Sequence, residues 1–228
     1  MATLSQSEKL LKTMCGSCLI AAPAVLLVGG SIHPEETTDA ARQYEILVDQ
    51  VDRWELAHWL ISAAMLLMMG AVVGLAHLLR RDRPVEGIVG GAATMVGTMA
   101  LFAVATAEAT VITELGRADP AAASPIFERH TESVGAWVLL VPVLLLPVGL
   151  IVMSYGLHRG RVAESWVVAA VAVGSVLFAV ALPTGSPIAF VVGNALILIG
   201  LARIGWGVLT GSDEAWQNPP HVGAEPGA

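Results

Sequence analysis

Charge is the first thing this chain is short of. Of its 228 residues only 14% are Asp, Glu, Lys or Arg, against roughly 25% in a soluble domain. Lysine is almost missing, with Lys9 and Lys12 beside ten arginines. The formal net charge is −7, which excludes the basic surface that nucleic-acid binding requires. Cysteine is limited to Cys15 and Cys18 in "MCGSC". No second Cys or His pair on their side completes a zinc site. The patterns H-E-x-x-H and G-x-S-x-G and the phosphate loop are absent, so no recognised enzyme signature is present. Polar residues within the apolar runs are few: Ser62, Thr94, Thr98, Thr106, Ser154, Ser175 and Asn194. A secondary transporter usually needs more midplane polarity and more broken helices than this.

What is there is apolar. The chain is 55% hydrophobic, with a mean hydropathy of +0.71. Six apolar runs, approximately 14–32, 56–79, 87–112, 134–157, 166–183 and 187–209, have about the 17–25 residues that cross a bilayer as helix. They leave no room for a separate soluble domain. The expected fold is all-α: residues 1–211 form one polytopic bundle of six transmembrane helices, with the lipid bilayer as its partner. The first run reads as an uncleaved helix rather than a signal peptide, whose apolar region is usually about 7 to 15 residues. Residues 212–228, rich in Pro, Gly and Ala, read as a disordered cytoplasmic tail.

Cytoplasmic flanks carry the excess of Lys and Arg. Lys9, Lys12, Arg80, Arg81, Arg83, Arg159, Arg161 and Arg203 fall on the side that holds both termini, which assigns both termini to the cytoplasm of a cell-membrane protein. Arg42, Arg53, Arg117 and Arg129 fall on the other side, together with twelve of the nineteen carboxylates. The outer face therefore carries the acidity of the chain.

Two outer loops have structure of their own. In "PEETTDAARQYEILVDQVDR", Ala40, Tyr44, Leu47, Val48 and Val51 form a helical stripe. It predicts a short amphipathic helix over about 38–51, capped by Thr38 or Asp39 and lying against lipid or over the bundle. In "GRADPAAASPIFERHTES", Pro125 is expected to begin a helix that runs on into the fourth span. Within the spans, Gly87 and Gly91 stand four apart. That spacing permits close helix approach and marks a face for homo- or hetero-oligomers. Pro142 and Pro147 should kink the fourth span. Cys15 and Cys18, three apart, suit packing or lipidation better than redox chemistry.

The candidate functional residues gather at the outer helix ends. "DRWELAHWL" carries Asp52, Glu55 and His58 into the mouth of the second apolar run. Asp52 as N-cap and Glu55 at N3 would form a capping box, with Trp54 and Trp59 at headgroup level. His58 lies about 9 Å beyond Asp52 and is not explained that way. Glu55 and His58 make an E-x-x-H pair, the ligand spacing of carboxylate-bridged di-metal bundles, in a single copy. His33 ends the first span, Glu108 sits inside the apolar end of the third, and His130 stands before the fourth. An ionisable residue within a membrane segment is by default a functional hypothesis. His33, Glu55, His58, Glu108 and His130 are therefore candidate ligands of one outer-leaflet pocket. It would hold a divalent metal, a haem on His58 and His130, or a small apolar ligand. Glu108 and His58 are expected to face each other, because an isolated carboxylate at that depth is costly. The bland alternative is that these residues only snorkel to the interface of a structural or accessory subunit; a small transporter is a third class.

Six spans, the "HP" of His33 and Pro34, the W-x-x-x-H of Trp54 and His58 and the closing "GLAHLLR" resemble a domain-of-unknown-function family of small bacterial membrane proteins. The resemblance implies a six-span fold and no particular activity. Ten arginines to two lysines, with abundant Ala, Val and Gly, fit a GC-rich bacterial genome.

Overall fold

The computed structural model describes residues 4–37, 39–131, 138 and 141–219, and within them the chain is helical with no strand. Six helices are long and apolar enough to cross a membrane: Gln6–Ile32, Val51–Leu79, Pro84–Arg117, Val141–Arg159, Ser165–Thr184 and Pro187–Thr210. We label the helices α1 (Gln6–Ile32), α2 (Ala40–Asp49), α3 (Val51–Leu79), α4 (Pro84–Ala107), α5 (Thr113–Arg117), α6 (Pro120–Thr131), α7 (Leu145–Arg159), α8 (Ser165–Thr184), α9 (Pro187–Thr210) and α10 (Asp213–Gln217). A π-helical stretch, Glu108–Ile112, joins α4 to α5 without a break.

The spans form a closed ring. Each packs on its sequence neighbour (α1 on α3, α3 on α4, α4 on α7, α7 on α8, α8 on α9), and α9 returns to pack on α1. Connections that join each span to its neighbour give this up-down order. Leu19, Leu26, Met65, Met68, Leu75, Leu150, Met153 and Phe178 fill the interior and are essentially fully buried. Where two helices must touch, a small residue lies at the seam. A Cβ placed on Gly149 would fall 2.4 Å from Thr94 N and 2.5 Å from Gly90 O, so α4 and α7 meet backbone to backbone. Gly87 instead meets Leu79 and Ala76 of the same chain, and Gly91 is in ordinary contact with Ala76 and Val72.

The cysteines are explained by the α1–α3 seam. Cys15 is buried, both thiols are free, and a Cβ on Gly74 or Gly70 would strike Cys15 or Cys18 respectively. The pair packs as small apolar groups, in line with the three-residue spacing.

Helix ends correct several expectations. Ser5 and Glu8 form a capping box at the start of α1, whereas the one expected from Asp52 and Glu55 does not form. The α3 helix begins at Val51, one residue after Gln50 closes α2, so Asp52 is already inside the first turn. Helix α6 starts at Pro120 and carries Pro125 within it; its continuation toward the fourth span lies outside the described residues. Pro147 cannot donate to Val143 O, and the helix is interrupted at Leu144 before α7 begins, as a proline interior to a helix requires.

Helix α2 covers the bundle rather than standing away from it. Tyr44, Leu47, Trp54, Ile112, Ala123 and Phe127 make a second small core, Asp39 caps α2 through Arg42 N, and the Tyr44 hydroxyl donates to Leu115 O. We call the end with α2, α5 and α6 the acidic end and the end with both termini the basic end. At the basic end α10 is docked: Trp216 stacks on His77 with centroids 3.9 Å apart, and Lys12 pairs with Asp213 at 3.0 Å. Residues 213–217 are thus ordered helix, a correction to the reading of the whole tail as irregular. The hydrophobic stacking surface of Trp216 outweighs the Pro- and Gly-rich composition around it. Residues 220–228 lie outside the described part.

Candidate functional site

Pro34 decides the position of His33. The residue before a proline is pushed out of helical geometry, so α1 ends at His33, which is extended at φ −61° and ψ 134°. Arg53 reaches back from α3 and donates to Ile32 O and His33 O, placing a cation on the open carbonyls of a helix C-terminus. The imidazole of His33 is thereby turned into the ring of helices, with its side chain only 13% exposed.

There it meets His58. His58 is 6% exposed, and its Nε2 lies 3.3 Å from Nε2 of His33, with ring centroids 4.7 Å apart at 72°. Trp54, one turn earlier on α3, packs on both rings at 5.0 Å and 4.8 Å. Each δ nitrogen is engaged by a carbonyl oxygen, His33 Nδ1 with Pro34 O at 2.7 Å and His58 Nδ1 with Trp54 O at 2.9 Å. Glu36 Oε1 is 3.7 Å from His33 Nε2.

Behind the imidazoles opens a cavity of about 220 Å³. One wall is α3, α4 and the start of the π-helical stretch, with Ile61, Leu101, Val104 and Glu108; the other is the α8–α9 corner, with Phe178, Leu182, Pro187 and Phe190. Gly185 makes the corner at φ +59°, a left-handed cap suited to glycine. Gly30 allows the Phe190 ring to sit against α1, since a Cβ there would overlap it.

Glu108 enters the cavity at the first residue of the π-helical stretch. An extra residue per turn re-aims the side chains that follow, and such bulges are frequent at functional sites. The Thr113 hydroxyl satisfies Glu108 O across the widened turn. The Glu108 carboxyl lies within reach of the buried Trp54 indole N–H, although the two are not drawn into a full hydrogen bond.

Of the five residues expected to converge, His33, His58 and Glu108 line this cavity. Glu55 does not: it is turned to the outside of α3 and binds Arg117 at 2.6 Å, as part of a group in which Arg117 also holds Asp52 and Glu114. His130 is exposed on α6, away from the cavity lining. His58 takes His33 as its partner rather than Glu108, because Pro34 directs His33 inward, a consequence the apolar pattern does not carry. Sequence reasoning missed Trp54 as a packing partner of both imidazoles, Glu36, and the whole α8–α9 corner. "HP" held the signal for the turn at His33, through the rule for residues before proline.

A haem on His58 and His130 is not supported, because His58 is buried against the cavity whereas His130 is exposed on α6, outside its lining. Among the described residues, no three His, Cys, Asp or Glu side chains form a preformed metal cage.

The chain matches no family model, no curated protein and no solved structure. The resemblance suggested by the "HP" and W-x-x-x-H motifs therefore gains no family assignment, and the reading of the site rests on its geometry.

Proposed function

We propose that this is an integral membrane protein with a small-ligand pocket opening at its outer face. The ligand has a polar head bound by His33, His58 and Glu108 and an apolar body laid against Ile61, Leu101, Phe178, Leu182 and Phe190. The observation that carries this reading is the pair of imidazoles whose ε nitrogens converge at the polar end of an apolar cavity. Two polar groups brought together against an apolar wall are what a binding site needs, whereas side chains that merely snorkel would turn separately to water. The excess of Lys and Arg at the basic end supports cytoplasmic termini and a pocket on the outer side. The carboxylates of the acidic end favour cationic or neutral ligands over anions.

Thr94 and Asn194, deeper in the bundle, support binding over passage. Thr94 donates to Gly90 O and Asn194 to Phe190 O, bonds within their own helices. Carbethoxylation of the purified, metal-stripped protein by diethyl pyrocarbonate, mapped by mass spectrometry, tests the reading. The expected result is modification of His33 and His58 at rates comparable to exposed His158. Protection of both while His158 reacts would mean a closed structural pair and would contradict the pocket.

A further inference from the structure

The δ-nitrogen contacts of His33 and His58 fix what their ε nitrogens present to each other. A carbonyl oxygen only accepts, so the contacts to Pro34 O and Trp54 O place a hydrogen on both Nδ1 atoms. A neutral imidazole has a single N–H. Both ε nitrogens then offer bare lone pairs to one another at 3.3 Å, an arrangement that is favourable only around an electrophile. A proton shared between them would make one of two largely buried rings an imidazolium, at a desolvation cost. Two imidazole nitrogens on one tetrahedral ion, each about 2.0–2.1 Å from it, stand about 3.3–3.4 Å apart. The 3.3 Å separation matches that edge.

The surroundings complete the pattern. Metal-bound histidines typically donate the other ring N–H to a carbonyl or carboxylate, which fixes tautomer and ring orientation, and both imidazoles here do so. Glu36 Oε1 lies 3.7 Å from the same His33 nitrogen on an exposed side chain free to close in. Glu108 adds a second carboxyl on the cavity side. The nearest guanidinium, Arg53, is directed to Ile32 O, His33 O and Gln50.

We propose that His33 and His58 ligate a divalent transition-metal ion through their ε nitrogens, with Glu36 as third ligand and the fourth position facing the cavity. The inference rests on the pocket reading above and names what sits at its polar end. An ion held by two imidazoles and one carboxylate with an open position is the arrangement of catalytic rather than structural zinc. Its open position faces the apolar walls, where a ligand's oxygen or nitrogen would bind.

The test uses Co²⁺ on full-length, metal-stripped protein in detergent. The expected result is one equivalent bound with the intense visible bands of a tetrahedral Co²⁺ centre, lost in His33→Ala and in His58→Ala and kept in His130→Ala and His158→Ala. Glu36→Gln, an exposed change that leaves the fold intact by circular dichroism, should weaken binding by about ten-fold or more. Absence of the tetrahedral bands, or binding unchanged in His33→Ala or in Glu36→Gln, overturns the proposal. Carbethoxylation separates this failure from that of the pocket. If His33 and His58 react yet Co²⁺ neither binds nor protects them, the metal is wrong and the pocket stands.

Discussion

His33 ends one helix and His58 lies 25 positions later inside another, yet their ε nitrogens are 3.3 Å apart. The contact ties the first hairpin of the bundle together at the acidic end. Arg53 on the carbonyls of α1 and Trp54 against both rings hold it in place. All four groups lie at the end of α1 or in the first two turns of α3. That explains why "DRWELAHWL" carries polar side chains into an apolar run: one of its faces meets Arg117, and the other builds the site with His33.

A contact of this kind is expected to be energetically coupled. His33→Ala and His58→Ala, singly and together, should give a thermal-unfolding cycle in detergent with an interaction energy of about 0.5–3 kcal/mol. Additive losses would mean that the two rings act independently.

The α4–α7 seam should respond to a single methyl group. Gly149→Ala drives a Cβ into backbone atoms of Gly90 and Thr94, and overpacking of this kind costs about 1–3 kcal/mol. Gly207→Ala meets only Arg203, at 3.7 Å. It should be neutral or stabilising by about 0.5–1 kcal/mol, as for an interior helix glycine. The difference in melting temperature between the two variants checks the packing of the ring.

At the basic end, Trp216 carries the docking of α10. It is 4% exposed, stacks on His77, and its carbonyl accepts from Arg80. Trp216→Ala should release α10 while the six spans stay folded. Hydrogen exchange would then rise over 212–217 and stay low across Leu75 and Leu79. Unchanged exchange over 212–217 would show that the stack does not hold the segment.

Orientation has its own check. In a Cys15→Ala, Cys18→Ala background, cysteines at Thr37 and at Ala122 should both react with a membrane-impermeant maleimide added outside intact cells. Protection of either one places the acidic end elsewhere.

The six spans and α2 were legible in the sequence because each depends on a local pattern, a long apolar run or an amphipathic stripe. Helix ends extend past the apolar edges, which stop at Leu56 and Gly87, whereas α3 begins at Val51 and α4 at Pro84. The site was legible in part. His33, His58 and Glu108 were visible as ionisable groups at the acidic helix ends. Their partners were not, because partner choice is tertiary. Glu55 goes to Arg117, more than sixty residues away. The α8–α9 corner with Phe190 closes the cavity from the far end of the chain. The π-helical stretch at Glu108 has no compositional mark at all, as it arises from one extra residue in a turn.

The central claim, that His58 lines an open pocket rather than a sealed core, is tested most directly by its rate of carbethoxylation with the cavity open and filled. Ala181 lies on the cavity wall and is 3% exposed, so Ala181→Phe adds a ring to the space behind the imidazoles. The account predicts that His58 reacts readily in the metal-stripped wild-type protein and is strongly protected in a folded, metal-stripped Ala181→Phe variant, with His158 unchanged in both. Equal reactivity of His58 in the two proteins, or none in either, would contradict it.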